Sequence, residues 1–278
     1  MVDTLSMLNR RHRLLYSGVF ACLFAGVVFS NFNSKQDVNS HPFADAEQPR
    51  LPAKPVASGV RIEHAKAGGV DYVIARVDLQ VAKLSLNWKD QHGNGYRSFG
   101  SVIRASQQRV IFATNSGIFD PSHTPCGWHV EEGHELMPLN LHDGDGNFFL
   151  KPNGVFMIDG SGARIVESKD AVGSRNVKLA VQSGPLLLNN GSVHPKFKRD
   201  STHKTIRNGV GIISPTEICF IISVEPVNLF DFAMFFKERL GCKDALYLDG
   251  TISKFYAPDA GLTERGGDFA GIFTVGQP

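Results

Sequence analysis

The chain has 278 residues, of which 42% are hydrophobic and 20% are charged, and its formal net charge is +2. This length suits one large domain or two small ones, and the apolar content is ample for a buried core. The 28 glycines and 20 phenylalanines favour a β-rich protein with many tight turns. No repeat with a period of roughly 20–50 residues is visible, which argues against a solenoid or a propeller.

Residues 1–30 have the pattern of an export signal. Three arginines precede the apolar run Leu14–Phe29, and Ser30 follows as a possible cleavage site. The run is shorter than the roughly 20 residues that span a bilayer comfortably, which favours cleavage over the alternative of a retained membrane anchor. We therefore expect an exported protein, periplasmic or secreted, with membrane contact only if this segment stays in the inner membrane.

Residues 31–58 are rich in Asn, Ser, Pro and Ala and predict a disordered tether. The folded domain is then expected over residues 59–278. Removal of residues 1–30 takes away three arginines and one aspartate, which leaves no net charge on the remainder. A neutral exported domain lacks the basic patch that nucleic-acid binding requires, so we expect no nucleic-acid partner.

The first elements of the domain alternate between strands and one helix. Residues 71–79 and 82–88 read as strands that we expect to pair, and the second alternates between apolar and polar residues. Apolar residues within 96–107 recur at helical spacing, and Val110–Thr114 reads as a buried strand.

The rest of the chain predicts hairpins, a second helix and two final strands. Glycine-containing turns at residues 132–133, 159–162 and 190–191 separate apolar runs. Asn228 is a candidate cap for an apolar helix that Gly241 ends, and strands follow at 245–249 and 269–275. The predicted fold class is α+β: a single domain with a large mixed, mostly antiparallel β-sheet system and a few covering helices.

Three cysteines, Cys126, Cys219 and Cys242, lie beyond the export signal. Export permits a disulfide, but an odd count leaves at least one thiol and no spacing selects a pair. Cys219 stands in an apolar run and is expected in the core.

Three apolar strands end in a polar residue that is followed closely by glycine. They carry Asn115 before Gly117, Gln182 and Ser183 before Gly184, and Asp249 before Gly250. A strand end holds a side chain rigidly, and glycine allows a sharp turn or close approach to a ligand. Turn chemistry alone is the alternative, since Asn, Asp and Gly are also ordinary turn residues.

Arg207 adds a fourth feature, because it stands just before Gly209 and Gly211 at the start of an apolar strand. Its planar guanidinium suits a phosphate or a carboxylate, although a surface salt bridge is the alternative.

The order of these motifs resembles the phosphodiester glycosidase family, over roughly residues 62–275. The resemblance rests on Asn-x-Gly-x-Phe at 115–119, Ser-Gly-Pro-Leu at 183–186, Arg-x-x-x-Gly at 207–211 and Leu-Asp-Gly-x-x-Ser at 248–253. Residues 146–158 are similar to an exported bacterial branch. The family's last motif usually has two further glycines after Gly250, where this chain has Thr251 and Ile252, and the added bulk at the rim of the pocket bears on the substrate more than on the fold.

The resemblance implies a hydrolase that cuts the glycosidic bond of a sugar-1-phosphodiester, such as an envelope glycan, a glycolipid or a nucleotide sugar. Asp249 would then act as nucleophile or as base for water, Arg207 would neutralise the phosphate, and Asn115 would bind sugar hydroxyls. The remaining expected substrate contacts are Gly117, Ser183, Gly184, Gly250, Ser253, Glu131 and Lys204. A non-catalytic binding module for phosphorylated envelope glycans is the alternative.

We predict no cofactor and no metal ligand set, with bound calcium left open. His123, Cys126 and His129 have zinc-type side chains, but a proline interrupts them and a fourth ligand is missing. Asp143–Asn147 matches only part of a calcium loop and is predicted as a hairpin turn.

Overall fold

The structure is a computed structural model that describes residues 58–277. In chain order its strands are β1 (Val60–Ala67), β2 (Val70–Asp78), β3 (Leu84–Asn87), β4 (Val110–Asn115), β5 (His129–Glu131), β6 (His134–Met137), β7 (Gly154–Asp159), β8 (Gly162–Glu167), β9 (Leu179–Ser183), β10 (Leu186–Asn189), β11 (Ser192–Val193), β12 (Asn208–Ser214), β13 (Glu217–Ser223), β14 (Ala245–Tyr247), β15 (Phe255–Tyr256) and β16 (Ile272–Gly276). The helices are α1 (Phe99–Ala105) and α2 (Leu229–Met234), and α2 continues into a π-helical turn at Phe235–Arg239. The predicted export signal and residues 31–57 of the predicted tether lie outside the described residues.

The strands form three antiparallel sheets. The seven-stranded sheet has the order β1-β2-β13-β12-β14-β10-β11, the four-stranded sheet β15-β4-β16-β3, and the five-stranded sheet β6-β5-β9-β7-β8. All of their ladders between residues 58 and 277 are antiparallel. The predicted fold class, α+β with a mostly antiparallel sheet system and a few helices, is confirmed.

The seven-stranded sheet is buried on both faces. On β2 and β13, Val73 and Phe220 face a core shared by the three sheets, whereas Tyr72 and Cys219 face α2 and its π-helical turn. Successive side chains of a strand point to opposite faces, so each strand contributes to both layers. The position of a polar residue along its strand therefore determines whether its side chain faces the shared core or the α2 side.

Both predicted helices are present, and each is shorter than the range that the sequence predicted. Ser98 caps α1, where its Oγ accepts a hydrogen bond from the Ser101 N–H at 3.2 Å, so the helix begins later than residue 96. Asn228 caps α2 by accepting from the Asp231 N–H at 2.8 Å, and Gly241 follows with a φ of 68°. Within residues 58–277, no helix is both long and apolar enough to cross a membrane.

The expected pairing of the strands at 71–79 and 82–88 is wrong. β2 pairs with β1 and β13, whereas β3 pairs with β16 in a different sheet. β2 is buried on both faces and both of its edges are occupied, so it has no place for β3. The predicted hairpins at 132–133, 159–162 and 190–191 are present.

The predicted hairpin turn at 143–147 is also wrong. This segment is a loop without flanking strands, and Asp143 forms an ion pair with Lys151 at 2.6 Å. Lys151 also donates to the Leu141 carbonyl oxygen at 2.9 Å, so the segment is held by this side chain and not by a paired strand.

Candidate functional site

Asp249 stands where β14 leaves its sheet. The strand ends at Tyr247, Leu248 is still fully buried, and a 3₁₀ turn follows at Gly250–Ile252. Asp249 is half-buried, so its carboxylate lies at the boundary between a rigid strand and solvent. We call the segment Asp249–Ser253 the Asp249 turn.

Asn115, at the end of β4, holds this turn at two points. Its Nδ2 donates to the Asp249 carbonyl oxygen at 3.0 Å, and its Oδ1 accepts from the Lys254 N–H at 3.1 Å. The same Oδ1 accepts from Asn208 Nδ2 at 3.0 Å. The Asn115 side chain therefore fixes the backbone on both sides of the turn.

Asn208 and Ser253 complete the support. Asn208 is fully buried at the start of β12, and its Oδ1 accepts from the Ser253 hydroxyl at 3.2 Å. The carbonyl oxygens of Asp249 and Gly250 also lie within 3.2 Å of that hydroxyl. A side chain from each of two sheets thus holds the turn in place.

The end of β9 meets the same turn. The Ser183 hydroxyl donates to the Leu248 carbonyl oxygen and accepts from the Ile118 N–H, both at 3.4 Å. Gly117 lies so close to β9 that a Cβ atom on it would stand 2.8 Å from the Gln182 carbonyl oxygen. The three strand ends singled out in the sequence therefore converge on Asp249.

Burial requires a correction to the expected roles of these residues. Asn115 is 1% exposed and Ser183 is 0% exposed, and Gly117, Gly184 and Gly250 are buried as well. The side chains of Asn115 and Ser183 and the Gly250 amide are bonded within the protein, so these groups support the turn instead of facing a sugar. Asp249 and Ser253 are the half-exposed members of the network.

Arg207 also requires a correction, because its guanidinium does not face solvent. The residue is 1% exposed, and it donates to the carbonyl oxygens of Val227 at 2.7 Å and His203 at 3.2 Å. It also donates to the Tyr247 hydroxyl at 3.1 Å. Residue 207 points to the α2 side of β12, since its neighbour Asn208 points to the central core. The guanidinium is therefore not placed for the direct contact with a phosphate that the sequence predicted.

Tyr247 connects Arg207 to the Asp249 turn. Its hydroxyl accepts from Arg207 and from the Gly250 N–H, and burial raises its pKa. A side chain at residue 250 would overlap this hydroxyl, so glycine is required there for close packing. The Gly250 amide is thus bonded to Tyr247 and not directed at a ligand.

The guanidinium of Arg207 is a buried cation with uncharged acceptors. Burial lowers its pKa, and the groups bonded to it among residues 58–277 are two carbonyl oxygens, a phenol and the His203 imidazole. Burying a charge without a bonded carboxylate costs free energy. Because no bonded carboxylate neutralises the Arg207 guanidinium, its positive electrostatic potential extends to the neighbouring groups.

Two segments border the half-exposed carboxylate. Cys126 lies in the loop after β4, where burial and the charges of Asp120 and Asp249 raise its pKa to about 11. The Ile206 carbonyl oxygen lies against Gly250, and the Ile206 side chain is 41% exposed. Cys126 is therefore a neutral thiol at neutral pH, and no nucleophilic thiolate stands beside Asp249.

Glu131 and Lys204, two predicted substrate contacts, lie outside this network. Glu131 is bonded to the buried His129 ring, with Oε1 2.8 Å from Nε2, and it lines a cavity beside Trp88. Lys204 lines a small cavity with Tyr72 and Asp231. The structure gives neither residue a contact with the Asp249 turn.

No metal site is evident in the described part of the chain. No three His, Cys, Asp or Glu side chains in residues 58–277 are close enough together to hold a metal ion. Within the zinc-type sequence run, His123 lies 3.0 Å from Asp268 and His129 is bonded to Glu131.

Asn208 and Tyr247 are the site residues that the sequence analysis missed. Both were visible in principle, since Asn208 adjoins Arg207 and Tyr247 precedes Asp249 by two residues on the same strand. A period of two places Tyr247 and Arg207 in the same layer once β12 and β14 are known to be neighbours. That pairing is the information that a single sequence lacks.

Comparison with protein families gives a match to the family model described as phosphodiester glycosidase, over residues 108–265. These residues include β4, β9, β12, β14 and the Asp249 turn. A relative in Escherichia coli strain K12, the uncharacterized protein YigE, is 37% identical over 182 residues, which cover 65% of this chain and 72% of that protein.

A solved structure has a similar fold. It is the zebrafish N-acetylglucosamine-1-phosphodiester α-N-acetylglucosaminidase catalytic domain auto-inhibited by its pro-peptide. The two structures match with a TM-score of 0.57 and 16% sequence identity, over 84% of this chain and 87% of the zebrafish chain. At this identity the likeness supports a shared fold.

Proposed function

The chain belongs to the phosphodiester glycosidase family, and from this membership we propose that it is an exported hydrolase of sugar-1-phosphodiesters. The bond cleaved joins the anomeric carbon of a sugar to an oxygen of a phosphodiester. The candidate substrates are envelope glycans, glycolipids and nucleotide sugars.

The observation that supports this proposal is that the carboxylate of Asp249 is half-exposed while its backbone is held rigidly. Bonds from Asn115 and Ser253 fix its backbone, and Tyr247 fixes the next residue. Rigid placement of a reacting group lowers the barrier, because little reorganisation is left for the reaction itself.

One carboxylate is sufficient for the proposed chemistry. Ordinary glycosidases use two carboxyl groups, one of which protonates the departing oxygen. Here the departing group is a phosphate monoester, which is a stable anion, so this protonation is not required. Asp249 acts either as the nucleophile at the anomeric carbon or as the base for the attacking water. The products are the free sugar and the phosphate monoester, and the water supplies the anomeric hydroxyl group.

Arg207 supports the same reaction from inside the domain. Its buried positive charge is bonded to the Tyr247 hydroxyl, which also accepts from the amide of Gly250, the residue after Asp249. A fixed cation in a low-dielectric environment favours an anionic ligand and stabilises the negative charge on the leaving phosphate. It therefore acts through its potential and through Tyr247, without touching the substrate.

The test is release of sugar by the purified chain from a panel of sugar-1-phosphodiesters and nucleotide sugars. We expect turnover with at least one member, and Asp249→Asn lowers it by a factor of about 1000 or more, because the replacement keeps the size but removes the charge. Asp170→Asn is the matched control, since Asp170 is an exposed aspartate in a separate 3₁₀ turn. It leaves turnover unchanged.

Two outcomes would contradict the proposal. Binding of a panel member without turnover would assign the chain to the alternative class, a binding module for phosphorylated glycans. Turnover that survives in Asp249→Asn would show that another group performs the chemistry.

A further inference from the structure

Two of the three cysteines beyond the export signal lie against each other in the interior. The sulfur atoms of Cys219 and Cys242 are 3.8 Å apart, and the residues are 0% and 2% exposed. The third cysteine, Cys126, lies at the border of the Asp249 turn and is half-buried.

The seven-stranded sheet explains how the two thiols meet. Gly211 of β12 is paired with Cys219 of β13 on one side and with Ala245 of β14 on the other. Cys242 precedes β14, so its side chain approaches Cys219 over Gly211. A Cβ atom on Gly211 would stand only 2.9 Å from the Cys242 sulfur, so the missing side chain leaves the space in which the sulfurs meet.

We propose that Cys219 and Cys242 form a disulfide when the exported chain folds in an oxidising compartment. The inference rests on the proposed export and is independent of the proposed hydrolysis. Sulfurs in a disulfide are about 2.0 Å apart, so the two side chains must close a gap of less than about 2 Å between them. Rotation of the two side chains about their Cα–Cβ bonds is the movement that closes this gap.

The chemistry needs an oxidant, which we assign to the class of thiol–disulfide oxidants. One cysteine thiolate attacks the oxidant's disulfide and forms a mixed disulfide, and the other thiolate displaces the oxidant's second thiol. The two cysteines lose two electrons and two protons in total, and the oxidant's disulfide becomes two thiols. Because both sulfurs are enclosed in the folded domain, the exchange takes place before α2 and β14 have packed.

The bond would hold together the part of the sheet that carries Asp249. It closes the segment from β13 through α2 and its π-helical turn to the start of β14. The partners are separated by 23 positions in the chain, and closing such a loop restricts the unfolded state. The Phe236 ring also packs against Gly211, so the finished bond is shielded from reductants.

The test is thiol mapping of the full chain after it has been unfolded, reduced and refolded in a series of glutathione buffers of increasing oxidation. The protein is then unfolded in an alkylating reagent and digested, and its peptides are analysed by mass spectrometry. We expect a linked pair of peptides that contains Cys219 and Cys242, lighter by two hydrogen atoms than the separate peptides, with Cys126 alkylated.

Thermal unfolding gives a second readout. The chain refolded in reductant is expected to have a Tm about 6–12 °C below that of the chain refolded under oxidising conditions. Cys126→Ser, the matched control, keeps this response, whereas Cys219→Ala and Cys242→Ala lose it. Alkylation of all three cysteines in every buffer, or a link that involves Cys126, would overturn the proposal.

Discussion

Arg207 and Tyr247 form a buried pair that is connected to the solvent-facing site through the backbone of Gly250. The Tyr247 hydroxyl accepts hydrogen bonds from the guanidinium and from the Gly250 amide. A single oxygen atom thus connects the buried cation to the residue after Asp249. Its removal would leave two donors unpaired in a place that water does not reach.

Tyr247→Phe removes this oxygen and keeps the ring. We expect the free energy of unfolding to fall by about 2–3 kcal/mol, because a buried donor without an acceptor costs about 1–3 kcal/mol. We also expect sugar release to fall, since the Asp249 turn loses one of its supports. Denaturant unfolding and the sugar-release assay measure the two effects.

Tyr256→Phe is the control for this prediction. Tyr256 is a buried tyrosine that packs in the separate cluster around Phe99 and Phe269. Its variant is expected to stay within about 0.5 kcal/mol of the parent chain and to keep full activity. Equal losses in both variants would show that the Tyr247 hydroxyl has no special role.

His194 makes the stability of the fold depend on pH. It is 4% exposed, its ring stacks on Phe197 with centroids 4.6 Å apart, and burial lowers its pKa below 6.5. The positive charge of Lys196 acts in the same direction. The unfolded chain therefore takes up this proton first, and the folded state loses stability as pH falls through about 6.5.

We expect His194→Gln to remove this contribution. Between about pH 7.5 and pH 5, the free energy of unfolding should fall less steeply in the variant, by at most about 1.4 kcal/mol per pH unit for one proton. Urea unfolding across this range measures the slope. Parallel profiles for the two proteins would contradict the assignment.

At the scale of elements, the strand ends were predictable and their exposure was not. Asn115, Ser183 and Asp249 each follow an apolar run, and the local pattern was enough to suggest that they meet. Whether such a side chain faces a ligand or the protein depends on neighbours from other strands. Asn208 and Leu248 belong to distant segments, and they bury Asn115 and Ser183.

Strand pairing was the other feature that local patterns could not give. Residues 82–88 alternate as predicted, but β3 pairs with β16, which lies almost at the end of the chain. The connection between β2 and β3 is short enough for a hairpin, so proximity in sequence favoured the wrong partner. β2 pairs with other strands because it is buried on both faces. Such burial depends on the whole sheet and cannot be read from the local pattern.

Gln182 shows how one side chain holds a long segment to a strand. Its Oε1 accepts from the N–H groups of Trp128 and Asn140, at 3.0 and 2.9 Å. Its Nε2 donates to the Asn140 carbonyl oxygen and to Ser168. The sequence analysis singled out Gln182 as a polar residue at a strand end. In the structure, its side chain bonds the loop between β6 and β7 to β9.

Gln182→Ala is expected to lower the free energy of unfolding by about 3 kcal/mol or more. It leaves the buried Trp128 amide and the half-buried Asn140 amide without their acceptor, and an unpaired buried donor costs about 1–3 kcal/mol. Denaturant unfolding measures the loss. Gln107→Ala, at an exposed position after α1, is the control and should change stability by less than about 0.5 kcal/mol.

At the scale of the whole molecule, the Asp249 turn is also the junction of the sheets. Asn115 belongs to the four-stranded sheet, Asn208 to the seven-stranded sheet, and Ser183 to the five-stranded sheet. Their side chains meet over a few ångströms at the turn. The site therefore depends on the correct mutual placement of three sheets, and its geometry and the stability of the domain are coupled.

A double-mutant cycle on Asn115 and Asn208 tests this coupling. Each single change to alanine should destabilise the domain and reduce sugar release, because either one leaves a partner amide unpaired in the interior. Since the two side chains share a hydrogen bond of 3.0 Å, the double variant should lose less than the sum of the two losses, by about 1–2 kcal/mol. Asn228, the cap of α2, provides the comparison: combined with Asn115→Ala, Asn228→Ala should add within about 0.5 kcal/mol. Additivity in both cycles would mean that the sheets meet at the turn without supporting one another, and the loss of activity in Asn115→Ala would then come from the Asp249 backbone alone.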